Sequence, residues 1–267
     1  MFAKLFKHEF LATWRLLATV VGLIWLVSLT LMLPAWFNLS VIGPVGLVLA
    51  VIGFCVGGAV PPVLLAVTYW RSMYSGRGYF THSLPVRGRV IFGAKLLYAN
   101  LVSLVAMVIG LGLAIILPGL TADRLGLVNL GEAWRAITDA VSPGRLWVLF
   151  ALALVITVAE YVLVLSAISL GTRGALGRLG LGGPVISLAV AYTAIQILTV
   201  IAMFAIPVAI RLTGPEVGRL TIAWMGLSIF SPTPELVGVG WLAMPVVLAV
   251  VAAPLAVRSI ERHTCLA

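Results

Sequence analysis

Residues 44–70 read PVGLVLAVIGFCVGGAVPPVLLAVTYW, an unbroken stretch without a charged side chain. About 20 apolar residues suffice for a helix to cross about 30 Å of hydrocarbon, so this stretch is expected to span a membrane. Five further windows are similarly apolar, at 17–36, 95–117, 146–171, 184–210 and 237–257, with only Lys95 and Glu160 charged among them. Inside a bilayer every backbone N–H and C=O must be paired internally, and a helix does that within one segment. The expected fold is therefore all-α, a polytopic membrane protein with six transmembrane helices. The windows and their loops use up the chain, so residues 1–267 form a single transmembrane domain. Pro61–Pro62 in the second span and Pro207 in the fifth are expected kink points.

Composition agrees with this reading. Hydrophobic residues make up 62% and charged residues 9% of the chain, with a mean hydropathy of +1.19, whereas soluble domains carry about a quarter charged residues. The net charge of +9 does not indicate nucleic-acid binding, because the bases lie in short loops between apolar runs and not on one basic domain. Cys55 and Cys265 have no redox or metal spacing, and His8, His82 and His263 are scattered, so no metal site is expected. The run 17–36 is too long for a signal peptide core and lacks a small-residue cleavage site. No phosphate-binding loop, HExxH or nucleophile elbow occurs, so no catalytic residue is expected. The chain reads as a non-enzyme that binds no cofactor of its own.

Counting bases on alternate sides gives an orientation. Lys4, Lys7, Arg15, Arg71, Arg77, Arg87, Arg89, Lys95, Arg173, Arg178, Arg258 and Arg262 share one side, twelve in all, against five on the other: Arg124, Arg135, Arg145, Arg211 and Arg219. The acidic residues sharpen the contrast. Five of them sit among the outer five bases, while only Glu9 and Glu261 oppose the inner twelve. The positive-inside bias then places both termini in the cytoplasm. Trp14, Trp36, Trp70 and Trp147 fall at span ends, where interfacial anchors belong, while Trp25 and Trp241 fall within spans.

Outside the spans, residues 1–15 place Phe2, Phe6, Phe10 and Trp14 at intervals of four, with Lys4, Lys7, His8 and Arg15 off that stripe. That is the pattern of an interfacial amphipathic helix facing lipid; the other reading makes it an extension of the first span. The loop 71–94 carries Arg71, Arg77, Arg87 and Arg89. At its centre lie Tyr79, Phe80, Thr81, His82, Ser83 and Leu84, stopped by Pro85. This segment is too polar to span and too apolar to hang free in water, so it is expected as a short helix docked on the interface or on a partner. The other reading is a solvated loop. Residues 129–142 are expected as a short outer helix. Residues 212–236 contain TIAWMGLSIF (221–230), too short to cross, and are expected as an outer re-entrant hairpin.

Glu160 is the acidic residue deep in an apolar window, which makes it a functional candidate by default. With Gln196 it is a candidate for a translocation path. The other reading has it bonded across helices to Tyr161, Tyr192 or Gln196. Gly53, Gly57 and Gly58, and Gly110 with Gly112, allow close helix approach.

The segments MFAKLFKHEFLATWR (1–15) and SMYSGRGYFTHSLPVRGRVIFGAKLL (72–97) resemble the membrane permease subunits of bacterial ABC transporters of the type-2 exporter class. A GYxTxxLPV segment of that family is similar to residues 78–86. Where the family often carries acidic residues just before this motif, this chain has Ser75, Gly76 and Arg77. The resemblance implies a multi-pass protein of the bacterial inner membrane. Two permease subunits would pair, as a homo- or heterodimer among membrane lipids, and each would dock a cytoplasmic ATPase subunit that binds ATP and magnesium. Residues 79–85 would be the coupling helix, and the cargo a hydrophobic or amphipathic drug, lipid or peptide. The competing classes are a stand-alone secondary transporter, which would be expected to show repeats and several buried charges, and a membrane scaffold or sensor.

Overall fold

The computed structural model describes residues 2–39, 41–75, 78–79, 86–124, 131–132, 135, 143–211, 220–222 and 236–262. Six helices are long and apolar enough to cross a membrane. They are α1 (Phe2–Trp36), α2 (Ile42–Tyr74), α3 (Gly88–Arg124), α4 (Pro143–Gly171), α5 (Gly182–Ala205) and α6 (Met244–Arg262). The expected all-α polytopic fold is what forms. A turn of helix at Gly174–Gly177 joins α4 to α5, and a 3-10 turn at Gly240–Ala243 leads into α6. The one departure from helix among the described residues is a small antiparallel sheet of β1 (Ala209–Arg211), β2 (Leu220–Thr221) and β3 (Leu236–Gly238), in the order β2-β1-β3. Ile210 pairs with Leu220 on one side and with Val237 on the other.

The N-terminus corrects the expectation of a separate interfacial helix. Residues 2–36 form one continuous helix of 35 residues, about 52 Å long at 1.5 Å per residue. Nothing between Phe2 and Leu33 breaks it: the segment lacks glycine before Gly22 and proline before Pro34, so the ladder propagates. Pro207 likewise ends α5 and does not kink it. Ile206, the residue before this proline, is extended (φ −96°, ψ 114°), as the clash with the following ring requires. Pro61 and Pro62 lie inside a continuous α2.

The chain divides into two compact units, one of Met1–Tyr69 with Arg89–Leu154 and one of Trp70–Gly88 with Val155–Ala267. In the first, α1 turns into α2 at Asn38, which takes φ +57°. Asn38 N–H donates to Ala35 O (3.0 Å) and Leu39 N–H to Pro34 O (3.1 Å), the paired bonds that close a helix on a left-handed residue. Small residues at 43, 46, 50, 53 and 57 then repeat along α2, and α1 lies against them. A Cβ at Gly43 would stand 3.1 Å from the Ala35 Cα, and one at Gly46 or Gly53 would overlap the Leu31 carbonyl or the Ser28 hydroxyl. Met32, Ala35, Leu47, Ala50, Phe54 and Ala114 form the core that this approach closes. Trp25 is not an interfacial anchor; its indole N–H donates to Phe54 O (3.3 Å). Gly110 meets Gly58 across α2 and α3, whereas nothing lies within 4 Å of a Cβ at Gly112.

In the second unit, the C-terminal half of α4 is the hub. Ser187 Oγ of α5 donates to Ala167 O (2.7 Å), and Ser259 Oγ of α6 donates to Ser169 O (3.0 Å). A Cβ at Gly171 would meet Gly183 O at 2.7 Å. Ala167, Ile168 and Ser169 are buried there.

Candidate functional site

The basic loop is narrower than its sequence suggests. Helix α2 runs on through Arg71 to Tyr74, and α3 starts at Gly88, so Arg89 and Lys95 are helical. Gly78 N–H donates to Ser75 O (2.6 Å), turning the chain out of α2. Gly78 and Tyr79 are in helical conformation, and Tyr79 is 67% exposed. Phe80, Thr81, His82, Ser83, Leu84 and Pro85, the rest of the expected coupling helix, lie outside the described residues. At the loop's far end Gly88 packs so closely on α6 that a Cβ would come within 2.8 Å of Glu261 Cγ and 3.1 Å of Ile260 Cγ2.

Lys95 is not a solvated loop cation. It is 6% exposed and forms an ion pair with Glu9 of α1. One turn on, the Tyr98 hydroxyl shares a 2.5 Å hydrogen bond with Thr13 Oγ1, and its ring meets Phe6 edge-on, centroids 5.3 Å apart. Phe92 of α3 meets Tyr69 of α2 edge-on at 6.5 Å. The N-terminal turns of α1 and the start of α3 are thus joined by a charge pair, a hydrogen bond and an aromatic contact. Sequence reading of the aromatic stripe missed this. The signal was present: Glu9, Thr13, Leu17 and Val21 also repeat at intervals of four, and that mixed face is the one turned into the protein. Of the stripe itself, Phe6 is half-buried on Tyr98, whereas Phe10 and Trp14 face outward.

The two mid-span candidates both lie in the second unit. Glu160 sits at the centre of the crossing window Phe150–Gly171 and is exposed. Among the described residues it makes no hydrogen bond or ion pair, so the alternative bond to Tyr161, Tyr192 or Gln196 does not form among them. Gln196 is exposed on α5, and its Nε2 donates to the Tyr192 hydroxyl one turn away (2.9 Å). Along α5 only Gly183, Pro184 and Ala202 are buried. Of the serines of α4, Ser169 donates from Oγ to Leu165 O (2.9 Å), whereas the buried Ser166 hydroxyl has no hydrogen-bond partner among the described residues. No group of three or more potential metal ligands occurs among the described residues. The expected outer helix at 129–142 lies outside the described residues apart from helical Gly131, Glu132 and Arg135. So does the interior of the hairpin at 212–236, whose described parts are β2, Ile222 and the start of β3.

A scan against protein-family models and searches of curated proteins and of solved structures found no match to this chain.

Proposed function

We propose that this chain is the membrane permease subunit of an ATP-driven ABC exporter, working with a separate cytoplasmic ATPase subunit. The observation that carries the reading is Tyr79. A large aromatic residue, 67% exposed, stands in helical conformation at the head of YFTHSLP, between the second and third of six apolar helices. Exposed aromatics of this size are the anchors on which protein interfaces depend. In this reading residues 79–85 dock in a groove of the ATPase, and the permease binds no nucleotide itself. The charge bias puts that segment and both termini in the cytoplasm. Glu160 and Gln196 supply polar contacts along a path otherwise walled by apolar side chains, which suits a hydrophobic or amphipathic cargo.

The test replaces the anchor. Tyr79→Ala with Phe80→Ala is expected to leave insertion intact, to reduce retention of the ATPase subunit in mild detergent, and to cut ATP-driven export at least about tenfold, as loss of an aromatic hot spot does. Full transport in this double variant would show that residues 79–85 are not the coupling element.

A further inference from the structure

From Tyr161 to Ser169 every residue of α4 except half-buried Val164 is buried, yet Glu160, just before them, is exposed. It stands two turns from Ala167, which accepts a hydrogen bond from Ser187 of α5, so it lies on the side of α4 that α5 packs against. That packing is tight at one end, where a Cβ at Gly171 would meet Gly183 O at 2.7 Å. Beyond Pro184, no residue of α5 is buried before Ala202. The two helices run antiparallel, with Gly183 against Gly171 and Ser187 against Ala167. On the side of Ser187, the α5 residues that draw level with Glu160 are therefore Ala191 and Ala194, with Ile195 beside them. Two alanines are too short to cover the carboxyl, and an apolar groove is left with Glu160 in its wall. Nothing at this depth of the unit supplies a counter-charge. Helix α5 has no charged residue, and α6 has none before Arg258. Arg258 neighbours Ser259, which bonds to Ser169, about 13 Å along α4 from Glu160.

We infer that the groove between α4 and α5 binds a lipophilic organic cation, with Glu160 as its counter-charge. A carboxyl at mid-span is costly against hydrocarbon, and attraction to a cation beside it strengthens as the dielectric falls. Only a molecule that itself enters the bilayer reaches a groove at this depth. An ion does so at lower cost when its charge is spread over a large apolar body, which the groove's apolar walls also suit. Calcium or magnesium takes about six oxygen ligands or more, and the groove offers one carboxyl. The inference deepens the permease reading, on which it rests for treating the groove as a cargo site, and narrows a hydrophobic or amphipathic cargo to a cationic one.

The probe is radiolabelled tetraphenylphosphonium, bound at equilibrium to the whole chain in phosphatidylcholine nanodiscs, with empty nanodiscs as the partitioning control. The wild-type chain is expected to show a saturable site. Glu160→Gln keeps the size and hydrogen-bonding capacity of the side chain but not its charge, and is expected to weaken binding at least about tenfold. Ala194→Leu fills the groove from α5 with the carboxyl in place, and is expected to weaken binding about threefold or more. Tetraphenylborate, of the same shape and opposite charge, is expected to find no saturable site. A wild-type chain without a saturable site, either variant binding like wild type, or equal binding of tetraphenylborate would each overturn the inference. Retention of an ATPase subunit in mild detergent bears on the permease reading alone. A chain that retains it and binds no cation sinks the inference and not that reading, and a chain that binds the cation with no ATPase does the reverse.

Discussion

Lys95 counts in the sequence among the bases of a loop, yet it folds into α3 and is buried against Glu9, 86 positions away. Their separation is why no local pattern reveals the pair: each charge, read alone, belongs to a solvated end of a span. Removing one partner of a largely buried pair strands the other charge. Glu9 keeps some exposure, its side chain being 18% accessible, so solvent screens part of that penalty. Glu9→Ala or Lys95→Met is accordingly expected to cost about 2 to 3 kcal/mol, read as a lower midpoint in detergent-induced unfolding. Glu9→Gln combined with Lys95→Met should recover much of the loss, because no charge is then left unpaired. Equal losses in the single and double variants would mean that packing of the lysine stem, not charge, holds the two helices together.

At the scale of elements, hydropathy made all six helices legible, because an apolar run of span length has no other stable conformation in a bilayer. What it did not show is where a helix continues past its apolar window. Helix α1 runs from Phe2 and α2 runs to Tyr74 because helix propensity does not stop where hydropathy does. The glycines divide in a way that composition alone does not reveal. Gly46 lies under the Leu31 carbonyl, a backbone atom that cannot rotate aside, while Gly112 of α3 has open space. Gly46→Val is therefore expected to separate α1 from α2 and to destabilise the fold by about 2 kcal/mol or more. Gly112→Ala should be neutral or stabilise by a few tenths of a kcal/mol up to about 1, since it removes only the flexibility of glycine. Unfolding midpoints of the two variants in one detergent series check the contrast, and equal destabilisation would contradict the packing described here. The small sheet was not foreseen, because strands of two or three residues have too little length to show a period of two.

At the scale of the whole molecule, the proposed topology rests on the bias of charge between the helix ends, and the long helices give that bias a physical setting. Helices α1, α2 and α3 have 35, 33 and 37 residues, lengths of about 50 to 55 Å against a hydrocarbon layer of about 30 Å. Each therefore has several turns to spare. The N-terminal turns of α1 carry Lys4, Lys7 and Arg15, the end of α2 carries Arg71, and the start of α3 carries Arg89 and Lys95. Because successive helices reverse direction, these basic ends all belong to one side, which under the proposed topology is the cytoplasmic one. Fusions of a fluorescent protein after Arg87 or at the C-terminus should be bright in cells. Alkaline phosphatase fused after Glu132 or Glu216 should be active, reporting the opposite side. Neutralising Arg71, Arg77, Arg87 and Arg89 together lowers the twelve inner bases of the wild type to eight against five. The bias should then weaken without reversing, and a minor fraction of inverted molecules should appear. A fully inverted population would mean that those four arginines set the topology alone, and an unchanged one would assign it to the remaining eight inner bases.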